Sequence, residues 1–415
     1  MTSQTLDEFK RGWRVLLSAN VGNGAGLSGL PFYTFGVFVV PLVAAFGWSR
    51  GRVAIAASFL VLGTAITAPI IGTIIDRFGA RRVGIISMLA LSVGYALLTR
   101  LDGNLTTFYI AWGLMSLVGG GTTPVVWTRA VGLWFDRGRG FALGIALAGS
   151  GLAGVFAPVL TNRAIARFGW AGGYLGLSAF ILLVAVPILI IFFEDRRLPR
   201  GTVAVAGPAP RAAGDSEEFP GMTPRQALRA PAFWKIALGF LFVSSVIAGL
   251  VLNLVPLLID RGKSAAEAAR IAGLMGLAVL VGRVGIGLLL DRLSAPLVAG
   301  VLIALSAAGC LLLGLAHLPE WLVPFSVVTI GLAAAAEVDL LAYLTSRFLG
   351  MRAYGRIYGS QLSIFYLGAA SGPLVAGLAY DRFHSYLPIL DFAAGSLAIG
   401  AIVLGTLGRP PTTWI

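Results

Sequence analysis

The feature that most limits what this chain can become is a succession of long apolar runs, broken only by short stretches of charge and turn residues. The runs lie near 15–43, 53–75, 84–100, 107–134, 141–161, 172–193, 233–259, 268–290, 296–316, 320–346, 357–379 and 386–407. Each is of a length that lets one helix cross a bilayer. Only 12% of the 415 residues are charged, against roughly 25% in a soluble domain, so twelve such runs cannot all keep a face in water. Membrane barrels would alternate polar and apolar residues in pieces of about 10, whereas these runs are continuous. The expected fold class is therefore an all-α membrane protein with twelve transmembrane helices, and its first partner is the lipid bilayer.

The formal net charge of +13 would suit a nucleic-acid binder, but its placement argues for no nucleic acid. Lys and Arg cluster in alternate short loops, roughly 19 on the side of the N-terminus and about 9 on the other, as the positive-inside rule requires. That predicts a multi-pass protein of the cell inner (plasma) membrane with both termini cytoplasmic. The start, Met1 to Arg14, is polar and basic and leads into a full-length run, so the first helix is expected to serve as the targeting signal. One cysteine, Cys310, and two histidines, His317 and His384, provide no disulfide framework, metal cluster or buried triad. With no P-loop either, the expectation is a protein that is not an enzyme, uses no cofactor and is not driven directly by ATP.

The longest connection carries Arg196, Arg197, Arg200, Arg211, Arg225 and Arg229, and its middle is rich in Pro, Gly and Ala. It divides the chain into an N-terminal six-helix bundle (1–193), a linker (194–232) and a C-terminal six-helix bundle (233–415). Within the linker, Thr223 followed by Pro224 reads as the cap and first turn of a short surface helix. The two halves repeat. GTIIDRFGARR (72–82) leaves span two as GLLLDRLSAP (287–296) leaves span eight, and RGFALGIALAGSGLAGVFAP (139–158) has a looser counterpart in YGSQLSIFYLGAASGP (358–373). Paired bundles around a central cavity are an architecture for alternating access.

GTIIDRFGARR resembles the loop-2/3 signature of the major facilitator superfamily, and the second copy keeps Gly287, Asp291 and Arg292. FGWSR (46–50), LWFDRGRGFALGIALAGSGLAG (133–154) and Arg283 resemble its monocarboxylate transporter and oxalate:formate antiporter branch. The resemblance covers essentially the whole chain. It implies two pseudo-symmetric six-helix bundles, secondary transport of a carboxylate coupled to a proton or a counter-anion, and a monomer. Three positions depart from the pattern. Trp112 stands where some relatives carry an arginine, Gln361 where the oxalate exchanger has a lysine, and Val279 where proton-coupled carriers have an aspartate. A monoanion, or a larger acid with an apolar body, fits these departures better than oxalate.

A charge near the bilayer centre costs at least about 2.5–3.5 kcal/mol on insertion scales, so each one needs a partner or a wet cavity. Arg283 stands eight positions before Asp291, roughly 12 Å inside span eight. Its planar fork suits a substrate carboxylate; the plainer reading is an ion pair with an acid of a neighbouring span. Glu337 and Asp339 lie some 12–15 Å deep in span ten and are candidates for proton coupling. Being two residues apart, they point to different helix faces, and only one is expected to line the cavity fully. One of them could instead neutralise Arg283 permanently. Competition between substrate and protein carboxylate for the same arginine would satisfy both readings.

Arg129, roughly 9 Å inside span four, is either a second anion contact, a side chain reaching the cytoplasmic interface, or a partner for Glu337 or Asp339. Softer substrate-binding candidates are Asn20, Asn23, Phe32, Tyr33, Trp127, Asn253 and Gln361, with Ser244 and Ser245 beside them. Polar groups in such helices more often bond helix to helix. Asp76, Arg77, Arg81, Asp291 and Arg292 are assigned to gating, because an Asp in these loops can cap a neighbouring helix and hold the cytoplasmic side closed. The function expected is secondary active, proton-coupled transport of a small organic anion, a monocarboxylate or an aromatic or larger carboxylic acid, by rocker-switch alternating access. The rivals are an anion exchanger without proton coupling, a drug efflux pump, and a transport-inactive membrane sensor.

Overall fold

The computed structural model of the chain describes residues 3–195, 220–315, 317–383 and 385–411. Arg196, Arg197, Arg200 and Arg211 of the linker and His384 lie outside them. Among the described residues the regular structure is helical. The first part of the chain forms α1 (Ser3–Ala25), α2 (Leu30–Phe46), α3 (Arg50–Phe78), α4 (Ala80–Leu98), α5 (Leu105–Val118), α6 (Pro124–Trp134), α7 (Arg139–Phe180) and α8 (Val186–Phe192). After the linker come α9 (Pro224–Arg229), α10 (Pro231–Asp260), α11 (Ala265–Leu290), α12 (Ala295–Gly314), α13 (Leu322–Phe348), α14 (Tyr354–Phe383) and α15 (Leu387–Gly405).

Local chemistry sets several of the ends. Ser49 accepts from the Arg52 N–H at the start of α3, and Asn104 accepts from the Thr106 N–H at the start of α5. Ser264 with Glu267, and Thr223 with Gln226, form capping boxes that satisfy otherwise orphaned N–H groups. Thr223 and Pro224 thus open α9 where the sequence places a surface helix.

Nine helical stretches among the described residues are long and apolar enough to cross a membrane, and one of them, Arg139–Phe192, is 54 residues long. A straight helix of that length would measure about 80 Å, far beyond a hydrocarbon core of about 30 Å. It turns at Gly169, whose φ of 72° is open to glycine at little cost, and so supplies two crossings. The all-α architecture of the predicted class follows. Large apolar side chains face outward, Leu183, Ile86 and Ile402 among them, while Asp339, Gln361 and Asn23 are buried. This inversion of the soluble pattern suits a molecule surrounded by lipid.

The structure corrects the sequence reading in two respects. Spans one and four are not single helices. The first breaks between α1 and α2, and the fourth passes through a 3-10 turn, Gly119–Thr122, between α5 and α6. The breaks meet: the Leu27 N–H donates to Thr122 Oγ1 at 3.0 Å. The repeat also has a different register. Asp76 at the end of α3 accepts from the N–H groups of Gly355 and Arg356, and Asp291 after α11 accepts from those of Gly140 and Phe141. Arg139-Gly140 therefore matches Tyr354-Gly355, not the later Tyr358-Gly359.

Candidate functional site

The site is built where the two halves cross. α3 of the first half packs extensively on α14 of the second, and α7 packs on α11. Both crossings bring backbones into contact through glycine. A methyl group on Gly72 would overlap the Gly355 carbonyl, and one on Gly287 would stand 2.6 Å from the Gly140 carbonyl. One turn further in, Gly359 meets the Ala68 carbonyl in the same way, and a methyl group on Gly144 would stand 2.5 Å from the Arg283 carbonyl. Ala68 and Arg283 each stand eight positions before the capping aspartate of their own helix, so they are structural twins. One twin is a methyl group and the other a guanidinium, so at this level the deep cation belongs to the second half.

Arg283 Nη1 donates to Asp339 Oδ1 of α13 at 3.1 Å. The arginine is 8% exposed and the aspartate 1%. Small residues allow this approach, since a methyl on Gly282 would lie 2.9 Å from the Ala335 Cβ, within the alanine run 333–336 that precedes the acids. The pair is incomplete. Arg283 Nε, Asp339 Oδ2, Glu337 Oε2 and the Tyr358 hydroxyl are all buried without a hydrogen-bond partner among the described residues. A buried polar group left unpaired costs roughly 1–3 kcal/mol, more for a charged one. One of the four is an atom of the guanidinium itself, and the other three belong to side chains that interact with it electrostatically, so a polar ligand here could supply missing bonds.

Glu337 and Asp339 both interact electrostatically with Arg283. Of the two, Asp339 makes the hydrogen bond to the arginine. Tyr358 feels both Asp339 and Arg283, and Tyr366, two turns further along α14, meets Ser28 in the break of span one and senses Glu337. Tyr366 thus links the surroundings of the acids to the break of span one in the other half. Tyr358, Tyr366 and Ser28 were missed at the level of sequence. The usable signal was the spacing of Tyr354 and Tyr358, one turn apart and stacked at 5.2 Å.

Other expected residues are placed elsewhere. Arg129 bonds Asp76 through Nε at 3.1 Å, not Glu337 or Asp339. Trp127 is fully buried and donates to the Thr122 carbonyl, and Gln361 is fully buried between Thr345 and the Phe233 carbonyl. Neither keeps a free surface for substrate. Asn20 and Asn23 donate to the carbonyls of Ile145 and Leu147 on α7, which is helix-to-helix bonding. Asn253 donates to Gly249 of its own helix and accepts from Tyr386. Ser244 donates to the Phe365 carbonyl, and Ser245 accepts from Ser371. Phe32 is 58% exposed and packs edge-on against Tyr33. Trp112 is buried against Phe35 and Phe108.

At the end of the molecule that carries the Asp-Arg loops, the halves are tied together. Besides the two aspartate caps, Arg347 donates to the Asp136 carboxylate at 2.9 Å, Arg139 donates to Ser346 at 3.3 Å, and the Tyr354 hydroxyl donates to Thr128 at 3.2 Å. Burial raises the Asp291 carboxyl above its ordinary 3.8, outweighing the Phe141 and Gly140 N–H groups and Arg347, which act the other way. Of the remaining gating candidates, Arg81 bonds Asp195 and the Ile190 carbonyl inside its own half, Arg77 lies over the Phe78 ring, and Arg292 follows the Asp291 cap. Asp136, Arg139, Ser346 and Arg347 belong to this seal although the sequence reading did not single them out.

A family model described as Major Facilitator Superfamily matches residues 21–373. Among curated proteins, Monocarboxylate transporter 13 of Bos taurus is 27% identical over 403 residues, covering 95% of this chain and 89% of its own length. Monocarboxylate transporter 12-B of Danio rerio is 25% identical over 364 residues, covering 82% of this chain and 76% of its own. Among solved structures, the human organic anion transporter MFSD10 (TETRAN) superposes with a TM-score of 0.70 at 17% identity, covering 94% of this chain and 99% of that one. At that identity the likeness speaks for the fold.

Proposed function

The chain belongs to the major facilitator superfamily, and from that premise we propose that it carries a small organic anion across the cell inner membrane by alternating access, together with a proton. The observation that carries this reading is the unfinished bonding of Arg283. Among the described residues its one carboxylate partner uses Nη1, while Nε, Asp339 Oδ2 and Glu337 Oε2 have no partner. A substrate carboxylate docking on Arg283 would take up the free side of the guanidinium fork and compete with Asp339. The site would then hold three carboxylates and one cation, a charge that buried surroundings tolerate poorly. A proton entering with the anion restores the balance, and Glu337 or Asp339 is the group positioned to take it.

The curated relatives named as monocarboxylate transporters support the choice of a carboxylate. The basic residues around the sealed end, Arg77, Arg81, Arg137, Arg225 and Arg352 among them, support placing that end in the cytoplasm. Residues 1–193 and 233–415 would then be the two bodies that rock, hinged across the linker 194–232.

The test is uptake into proteoliposomes, with a panel of short, aromatic and dicarboxylic acids and an imposed proton gradient. The expected result is gradient-driven uptake of one acid class, abolished by Arg283→Ala in protein that still inserts. Counterflow of anions with no response to the gradient would replace proton coupling by exchange. Transport of cationic compounds alone would overturn the anion assignment and favour efflux.

A further inference from the structure

A second site lies away from this cluster, at the sealed end and on its flank. A cavity of about 740 Å³ is walled by Ile70 and Thr73 of α3, Arg356 and Ser360 of α14, and Arg225 and Leu228 of α9. We propose that this groove binds the headgroup and upper acyl chain of an anionic phospholipid, and that the lipid favours the state in which this end is closed.

The chemistry of the walls is split as a phospholipid is. Ile70 and Leu228 are 53% and 50% exposed, an apolar strip of the kind that lies along acyl chains. Arg225 and Arg356 are exposed on the polar side, and neither guanidinium forms an ion pair among the described residues. The two guanidinium groups, neither ion-paired among the described residues, offer a phosphate both charge and N–H donors, whereas the hydroxyls of Thr73 and Ser360 already donate to the Pro69 and Arg356 carbonyls. The level is that of the membrane interface. Trp234, 46% exposed, donates its indole N–H to the Leu228 carbonyl at the groove, and exposed tryptophans collect where lipid headgroups begin. A free phosphate would use the arginines but leave the apolar strip uncovered, which favours the lipid as occupant.

The consequence follows from which bodies form the walls. α3 belongs to the first half and α14 to the second, while α9, at the end of the linker, packs on α10 and α14 of the second half. Arg356 is also the residue whose backbone N–H bonds Asp76 across the halves, at 3.0 Å. Opening this end would separate α3 from α14 and divide the groove. A ligand that touches both walls binds the closed state better, and so shifts the population toward it. The inference is independent of which substrate the transporter carries.

The experiment has two readouts on the full chain: native mass spectrometry for the first bound lipid, and fluorescence energy transfer between dyes on the two halves at the sealed end. The probes are phosphatidylglycerol, phosphatidylcholine and inorganic phosphate, on the native sequence and on Arg225→Gln and Arg356→Gln. Phosphatidylglycerol is expected to bind more tightly than phosphatidylcholine, with about fivefold lost for each arginine replaced, and to raise the closed fraction. Arg225 is exposed on a short surface helix, so its variant keeps the test valid if Arg356→Gln misfolds. Equal binding of the two lipids, equal binding by native and variant protein, or an unchanged closed fraction would overturn the proposal. Saturation by inorganic phosphate alone would do so as well, by showing a plain anion site.

Discussion

At the scale of single residues, the proposed transport rests on one guanidinium and the two acids that interact with it. Removing one member of a buried ion pair leaves an uncompensated charge, which costs about 3–5 kcal/mol. Arg283→Ala should therefore lower the melting temperature as well as transport, while Arg283→Met combined with Asp339→Leu should recover much of the stability and none of the transport. Equal melting of the single and double variants would show that the pair is not energetically coupled. Arg283→Lys keeps the charge but loses the planar fork; substrate affinity should fall roughly tenfold with melting little changed. Glu337→Gln and Asp339→Asn should each alter the pH dependence of uptake, and unchanged profiles for both would remove the acids from proton coupling. Arg283, Glu337 and Asp339 were legible in the sequence because charge within an apolar run is expensive. The partners were not. Nothing in the one-dimensional pattern says that Arg129 meets Asp76 while Asp339 meets Arg283, since both acids and both arginines lie in helices that could face either way.

At the scale of elements, two of the spans in the first half are broken and the breaks are bonded together. Thr122 receives the Leu27 N–H, gives its own hydroxyl to the Gly119 carbonyl, and lends its backbone carbonyl to the Trp127 indole. Thr122→Val keeps the shape and removes the hydroxyl, leaving a buried N–H without an acceptor. A loss of about 1–3 kcal/mol is expected, read as a lower melting temperature of the purified protein; an unchanged melt would mean that the junction contributes nothing. The signal for both breaks stood in the sequence as AGLSG (25–29) and GGGTTP (119–124), glycine and proline punctuation inside apolar runs. It was overridden because hydropathy averages across a break as short as four residues. Gly144 is the second test at this scale. Its Cβ position falls on the Arg283 carbonyl, so Gly144→Val should push α7 off α11 and abolish uptake even though valine suits an apolar span.

At the scale of the whole molecule, the two aspartate caps are the same device used twice, each carried by a helix of one half and spent on the first turn of a helix in the other. Hydrogen bonds to a charged acceptor contribute roughly 1.5–3 kcal/mol each, and about 1.4 kcal/mol is tenfold in a population. Asp291→Ala should thus open the sealed end by at least about tenfold, measured as cysteine labelling at Ala342→Cys, a fully buried position one turn further in on α13 than the seal residue Ser346, with Asp291→Asn intermediate because its amide oxygen still accepts. Labelling that does not respond to Asp291→Ala or to Asp76→Ala would show that the caps do not hold this end shut.

A bundle of membrane-spanning helices could be read along the chain, and so could the repeated Asp-Arg motif and the few deep charges. These are one-dimensional matters: run length, the spacing of the Asp-Arg motifs, and the rarity of charge among apolar residues. The packing of the helices settled which residues share a partner. It set the true register of the repeat, joined the broken spans, and withdrew Trp127 and Gln361 from the cavity by burying them in bonds of their own. The physical reason is that a helix presents every side chain on some face, and the choice of face comes from where its neighbours' backbones can approach. Here glycines such as Gly140, Gly144, Gly355 and Gly359 make that choice at the crossings, and the meaning of a glycine in a sequence depends on what lies across from it.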